Sequence, residues 1–160
     1  MSPILRAITL VSTCFLAAPS YAGEHTVPYP DGYRQWTHAK TMLIQPGHSL
    51  ANPFMGIHHI YINEKARKGM DSGHYKDGAV IVFDLLNYTE QNQAIQESER
   101  KFIGVMHKHA KHHKETGGWG FEVFSGDSHT ERQVKDGGEA CFACHASEKA
   151  RDYVFSSYRK

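Results

Sequence analysis

Short runs of β-branched and aromatic residues recur along the chain, separated by polar connectors rich in Gly, Asp and Lys. The strongest run is Ala79 to Leu86 (AVIVFDLL), whose residue types and length predict a strand. Alternation along it puts Ala79, Ile81, Phe83 and Leu85 on one face and Val80, Val82, Asp84 and Leu86 on the other. Asp84 reads as the mark of a wetter face, and Phe83 then points into the apolar volume that the sheet covers. Ile57 to Asn63, Phe102 to His107 and Trp119 to Phe124 predict three more strands, and the apolar run Lys40 to Gln45, ended by Pro46-Gly47, a fifth. Glu64 to Met70 predicts a short helix. Tyr33 to Trp36 predicts another, with Asp31 placed to cap it. Residues 89–99 are polar and read as a loop or a weak helix, and 108–118 as a polar connector.

No helices of regular length separate the strand runs, so antiparallel pairing is favoured over parallel crossovers. The predicted class is α+β, mainly β: an antiparallel sheet of about five strands with short helices. The stretch 138–150 suits a helix at the C-terminal end.

The first 22 residues predict a secretory signal. Arg6 gives the basic start, Ile8 to Ala18 the apolar run, and Ser20-Tyr21-Ala22 the small-x-small cleavage site. The expected organisation is a signal peptide over 1–22 and one domain over 23–160, exported to the periplasm. With 18 Lys+Arg against 17 Asp+Glu there is no charge excess to draw nucleic acid or an anionic membrane. Cys14 lies inside the apolar run, which leaves two cysteines after cleavage.

Those two form Cys141-Phe-Ala-Cys144-His145, the CxxCH attachment sequence of a c-type haem. The thiols add across the haem vinyl groups, and the adjacent His145 becomes an axial iron ligand. A CxxC redox pair commonly sits in a βαβ setting without the histidine, and a zinc site needs further ligands. One covalent haem c, held by Cys141, Cys144 and His145, is therefore expected, and it agrees with export.

The second axial position decides the class. Filled by Met or His, the iron mainly carries electrons; vacant, it binds small molecules. Met42, Met55, Met70 and Met106 are available, as are eleven histidines besides His145. Small helical electron carriers place CxxCH near the start with a Met downstream. Here only fifteen residues follow His145, with no Met or His among them, and a β-rich body precedes it.

In this setting the sequence resembles the cytochrome P-460 family. The resemblance rests on Tyr33-Arg34-x-Trp36, Ile57 to Asn63, Lys76-Asp77-Gly78-Ala79-Val80-x-Val82, Gly118-Trp119-Gly120-Phe121 and Cys141 to His145, in that order over nearly all of the exported chain. It implies a β-sheet fold with a C-terminal c-type haem and one of two functional branches. In the hydroxylamine-oxidising branch a sheet lysine is linked to the porphyrin edge; no lysine lies in 77–100. The chain is more similar to the cytochrome c′-beta branch, in which two phenylalanines cap a vacant distal site, matched here by Phe54 and Phe83. The resemblance thus implies a five-coordinate iron that binds NO and CO, a role in scavenging or shuttling NO rather than an enzyme's, and a homodimer. The rivals are a hydroxylamine-oxidising enzyme and a six-coordinate electron carrier. His107, His109, His112 and His113 form a cluster of metal-ligand types whose plainer reading is a solvated loop. His58 and His59 point to opposite faces, so at most one approaches a haem. Arg34, Trp36, Lys149, Arg151 and Tyr153 carry no assigned role.

Overall fold

A computed structural model describes residues 26–159; the signal peptide expectation and Cys14 fall outside them. Five strands, β1 (Thr37–Ile44), β2 (Gly56–Ile62), β3 (Val80–Gln91), β4 (Ala94–Lys108) and β5 (Trp119–Ser125), form one antiparallel sheet in the order β1-β2-β3-β4-β5. Each strand pairs with its neighbour in sequence, as the short connectors require. Among the described residues three α-helices accompany the sheet: α1 (Ala51–Phe54), α2 (Glu64–Ser72) and α3 (Glu139–His145). Among the described residues no helix is long and apolar enough to cross a membrane.

Two expectations about local structure are corrected. Residues 89–99 are neither loop nor helix: β3 runs on to Gln91 and β4 starts at Ala94. Asn92 and Gln93 turn the hairpin with φ of 50° and 63°, the left-handed pair that a two-residue turn needs. This part of the hairpin is polar because it is largely exposed. Asp31 does not cap the helical turn Tyr33–Gln35, whose cap is Gly32 with no side-chain bond. At α2 the cap is legible: Asn63 accepts from the Ala66 amide at 2.9 Å, and Gly73 closes the helix at φ 75°.

The register organises the sheet into rows. Lys40, Ile60, Phe83, Gly104 and Val123 are successive partners across the five strands. Beside them runs Met42, His58, Leu85, Phe102 and Ser125. Since alternate residues share a face, both rows lie on the face that also carries Ile62, Ile81, Met106 and Phe121. That face packs against α2, α3 and the C-terminal segment, through a cluster that includes Ile62, Ala66, Tyr75, Ile81, Trp119, Phe121 and Val154.

The opposite face carries a second core of Tyr61, Val82, Ile103, Val105 and Phe124, covered by Val27, Tyr29, Tyr33 and Trp36. Here the reading of Asp84 is corrected. It is fully buried, and its carboxylate accepts from Tyr33 Oη at 2.8 Å and Arg100 Nε at 2.6 Å, with Arg34 at 3.5 Å. A buried carboxylate is tolerable because it is paired and hydrogen-bonded. Burial, and then the bond to Asp84, push the Tyr33 phenol well above its usual range. Arg34 and Trp36 belong to this side, away from α3.

Candidate haem site

The segment carrying Cys141, Cys144 and His145 is α3 itself. Asp136 starts it, accepting from the Gly138 and Ala140 amides at 3.0 and 2.9 Å, and these backbone bonds hold its carboxyl below the usual range. Gly138, at φ 90°, lets the helix begin against β5; an added Cβ would stand 2.9 Å from that of Phe121. Helical spacing places Cys141 with Cys144 (i, i+3) and with His145 (i, i+4) along neighbouring rows. The two cysteines form no disulfide with each other. Cys141 packs against the core cluster, where burial pushes its thiol up, whereas Cys144 is exposed. After His145 the chain tightens into a 3-10 helix, Ala146–Arg151, so the helix predicted over 138–150 is real but changes type after His145.

The orientation of His145 is fixed by main chain. Its Nδ1–H donates to the Tyr153 carbonyl at 2.7 Å, which leaves Nε2 as the free ring nitrogen. Burial holds the imidazole below its ordinary pKa, with the Tyr153 carbonyl acting in the opposite sense. A neutral ring with one nitrogen occupied is the form that binds a metal. Phe121 and Phe155 flank it with ring centroids at 5.2 and 4.9 Å.

The Tyr153 carbonyl is itself held in place. Asp152 and Tyr153 both adopt left-handed backbone, φ 52° and 65°, an unusual pair for residues other than glycine. Asp152 is clamped from three strands or loops. Its carboxylate accepts from Lys108 Nζ at 2.7 Å and from the Tyr75 amide at 3.0 Å, and its carbonyl accepts from Trp119 Nε1 at 2.9 Å. Lys108 is buried and also donates to the Gly117 carbonyl at 3.1 Å. Such over-determination is what maintains a strained turn.

On the other side of the same sheet face stand the two predicted phenylalanines, and the structure brings them together. Phe54, at the end of α1, meets Phe83 edge-on at 5.9 Å and 77°. A third ring, Phe102 of β4, lies 6.1 Å from Phe54 and nearly parallel to Phe83 at 5.9 Å. Phe54 is brought down by two devices. Gly56 takes φ 142° so close to β3 that a Cβ would lie 2.3 Å from the Leu86 carbonyl oxygen. Lys101 Nζ donates to the Pro53 and Met55 carbonyls at 3.0 and 2.9 Å, on either side of Phe54. A cavity of about 600 Å³ opens here, bordered by Phe54, Phe102, Lys101, Val123 and Gln133.

These residues fit a haem. Phe54, Phe83, Phe102, Cys141 and His145 are all half-buried, and Phe83 and Cys141 border one core cluster. An apolar patch left half-covered on a small protein marks a binding surface. Beside Phe83 the floor is low, because Gly104 carries no side chain and an added Cβ would meet only Phe83 atoms, at ordinary contact distance. A thiol pair, a tautomer-fixed imidazole and an apolar floor on one side of the sheet are the parts that such a cofactor uses.

Phe102, Lys101 and Asp152 were not singled out by the sequence. His58 is the histidine of the pair 58–59 that faces this side: it is buried and stacked on Phe83 at 4.4 Å, whereas His59 faces away and bonds Glu97. His109 stacks on His112 at 3.7 Å, and no group of three or more His, Cys, Asp or Glu among the described residues is arranged to hold a metal ion. Of the tail residues, Tyr153 contributes its carbonyl, and Arg151 donates to the Phe155 and Ser156 carbonyls.

No curated protein matches the chain. The family model for cytochrome P-460 matches residues 30–156, from before β1 to beyond α3. The chain therefore belongs to the cytochrome P-460 family, a family of haem-binding proteins.

Proposed function

We propose that this chain is an exported, periplasmic haem c protein of the cytochrome c′-beta kind, whose five-coordinate iron binds NO and CO. Cys141 and Cys144 form the thioethers to a single haem, His145 Nε2 is the proximal ligand, and Phe54 and Phe83 cap the open side. Bound to these residues, the haem supplies an iron with one site free for a diatomic gas. The observation that carries the reading is the ring cluster Phe54–Phe83–Phe102 on the face that holds Cys141. None of the three rings offers a hydrogen bond. Bound O₂ draws electron density and gains from a distal donor; NO and CO depend on one far less. Nor do the three rings themselves supply a general base for oxidising hydroxylamine. Scavenging or shuttling NO follows as the role. A second copy of the chain would cover a sheet edge, β1 or β5, giving a homodimer.

The deciding experiment is the ferrous haem spectrum with and without CO and NO, on protein whose intact mass shows one covalent haem. A high-spin spectrum converted by both gases supports the reading. A low-spin spectrum indifferent to CO would replace it with the six-coordinate electron carrier.

One observation favours the hydroxylamine-oxidising alternative. Lys40 lies in the same row as Phe83, two strands away, and is exposed. A lysine can thus reach this face from β1 although none lies on β3. A haem peptide that retains the Lys40 segment after proteolysis would support that alternative.

A further inference from the structure

Phe83 is walled on two sides by rings that lie nearly parallel to it. Phe102 of β4 is one wall, tilted by 22°; His58 of β2 is the other, at 4.4 Å and 26°. Both are register partners of Leu85, so they flank Phe83 from its two neighbouring strands. The imidazole is an odd choice for a filler. His58 is only 4% exposed, and its Nδ1 has no hydrogen-bond partner among the protein's own groups. Leu or Phe would fill the same place without an unpaired polar atom, so plain packing does not account for it.

We propose that His58 is the residue that positions Phe83 in the distal cap, and that a positive charge on its ring releases the cap. This rests on the reading of Phe83 as part of that cap. Neutral, the ring stacks on Phe83 and tolerates one unpaired nitrogen. Protonated, both nitrogens become donors that need partners. Charge over Phe83 gains a cation–π contact, but the surroundings oppose it. Lys40 on β1 repels the charge, as does His59 beside it on β2. On β3 its partner is Leu85, and the adjoining carboxylate, Asp84, is turned to the other face and bound to Tyr33 and Arg100. Phe102 on β4 adds no charge. Burial first, then Lys40 and His59, push the imidazole down to about 4. A charged His58 therefore leaves the stack for water, and Phe83 loses one wall.

The test uses ferrous holoprotein and CO recombination after flash photolysis, from about pH 7.5 down to about pH 4. The natural chain should recombine several-fold faster at the acid end. His58→Phe keeps a stacked ring that cannot titrate, and should hold the slow rate across the range. His58→Ala should be fast throughout. A flat profile in the natural chain overturns the proposal. So does a His58→Phe profile that still rises in acid, because the dependence then belongs to propionates or to the proximal side. NMR of the diamagnetic ferrous–CO form should show the His58–Phe83 ring contact at neutral pH and its loss as the ring titrates. If the iron takes up no CO, the open-site reading fails. The same NMR on the low-spin ferrous protein then still decides whether His58 holds Phe83.

Discussion

The two sides of the α3-bearing face are held by different kinds of force. Around His145 the bonds are directional: Tyr153 carbonyl to Nδ1, Asp152 to Lys108, the Tyr75 amide and Trp119. Around Phe54 and Phe83 the contacts are ring on ring, with Lys101 as the polar tether of α1. A metal ligand must aim one atom along one line, and hydrogen bonds of fixed geometry do that. A cap must keep a shape yet let a small molecule past, and stacked rings can slide where a bonded network cannot. The clamp is thus suited to holding and the ring cluster to admitting.

The sharpest way to break this comparison is Asp152→Ala. It strands the buried Lys108 cation and frees the Tyr153 carbonyl. Loss of one partner from a buried pair costs about 3–5 kcal/mol, and urea unfolding should show a loss near the lower figure, because Asp152 is 16% exposed. The proximal side should fail with it, seen as partial loss of the high-spin ferrous spectrum. Phe-cap variants should leave that spectrum unchanged.

Next comes acid. His58 has a folded pKa of about 4 against an ordinary 6.5. Between those values the unfolded chain takes up a proton that the folded chain refuses, so stability is full above pH 6.5 and falls as pH drops toward 4. The gap corresponds to up to about 3 kcal/mol. Comparison of unfolding curves for the natural chain and His58→Phe should isolate it, the variant losing less between pH 6.5 and 4.

Phe83→Ala should cost about 2 kcal/mol, below the range for fully buried rings because Phe83 is half-buried. It should also speed CO and NO binding; rates unchanged in both Phe83→Ala and Phe54→Ala would remove the cap assignment. The smallest effect is Lys101→Met. It removes two bonds to the carbonyls around Phe54 and should cost about 1 kcal/mol, with faster gas entry. Lys101→Arg should restore much of the slow entry. An unaltered rate in Lys101→Met would show that ring packing alone seats Phe54.

Much of this was readable from residue order. Alternation along 79–86 put Phe83 on one face with Ala79, Ile81 and Leu85, which is the α3-bearing face, and the helix read over Glu64 to Met70 is α2. What was not legible depends on register. Nothing local in the chain says that His58 and Phe102 are both partners of Leu85 and so wall Phe83. Asp84 misled for the same reason. A lone carboxylate in a strand reads as wet until Arg100 and Tyr33, 16 and 51 residues away, are seen to bind it. Asp152 is harder still, since its bond to Tyr75 spans 77 residues. Polarity misled over 89–99 because two-residue hairpins are usually signalled by glycine, and Asn92-Gln93 turns without one.

The strand order β1-β2-β3-β4-β5 has a consequence for how the molecule comes into being. Each strand meets a partner that has already been made, so assembly closes only the connections between consecutive strands, which keeps the cost in chain entropy low. The contacts of Asp152, one of which spans 77 residues, follow the fifth strand, as do Cys141 and Cys144. The thiols thus follow all five strands in the chain, so the sheet face that receives them can already have formed.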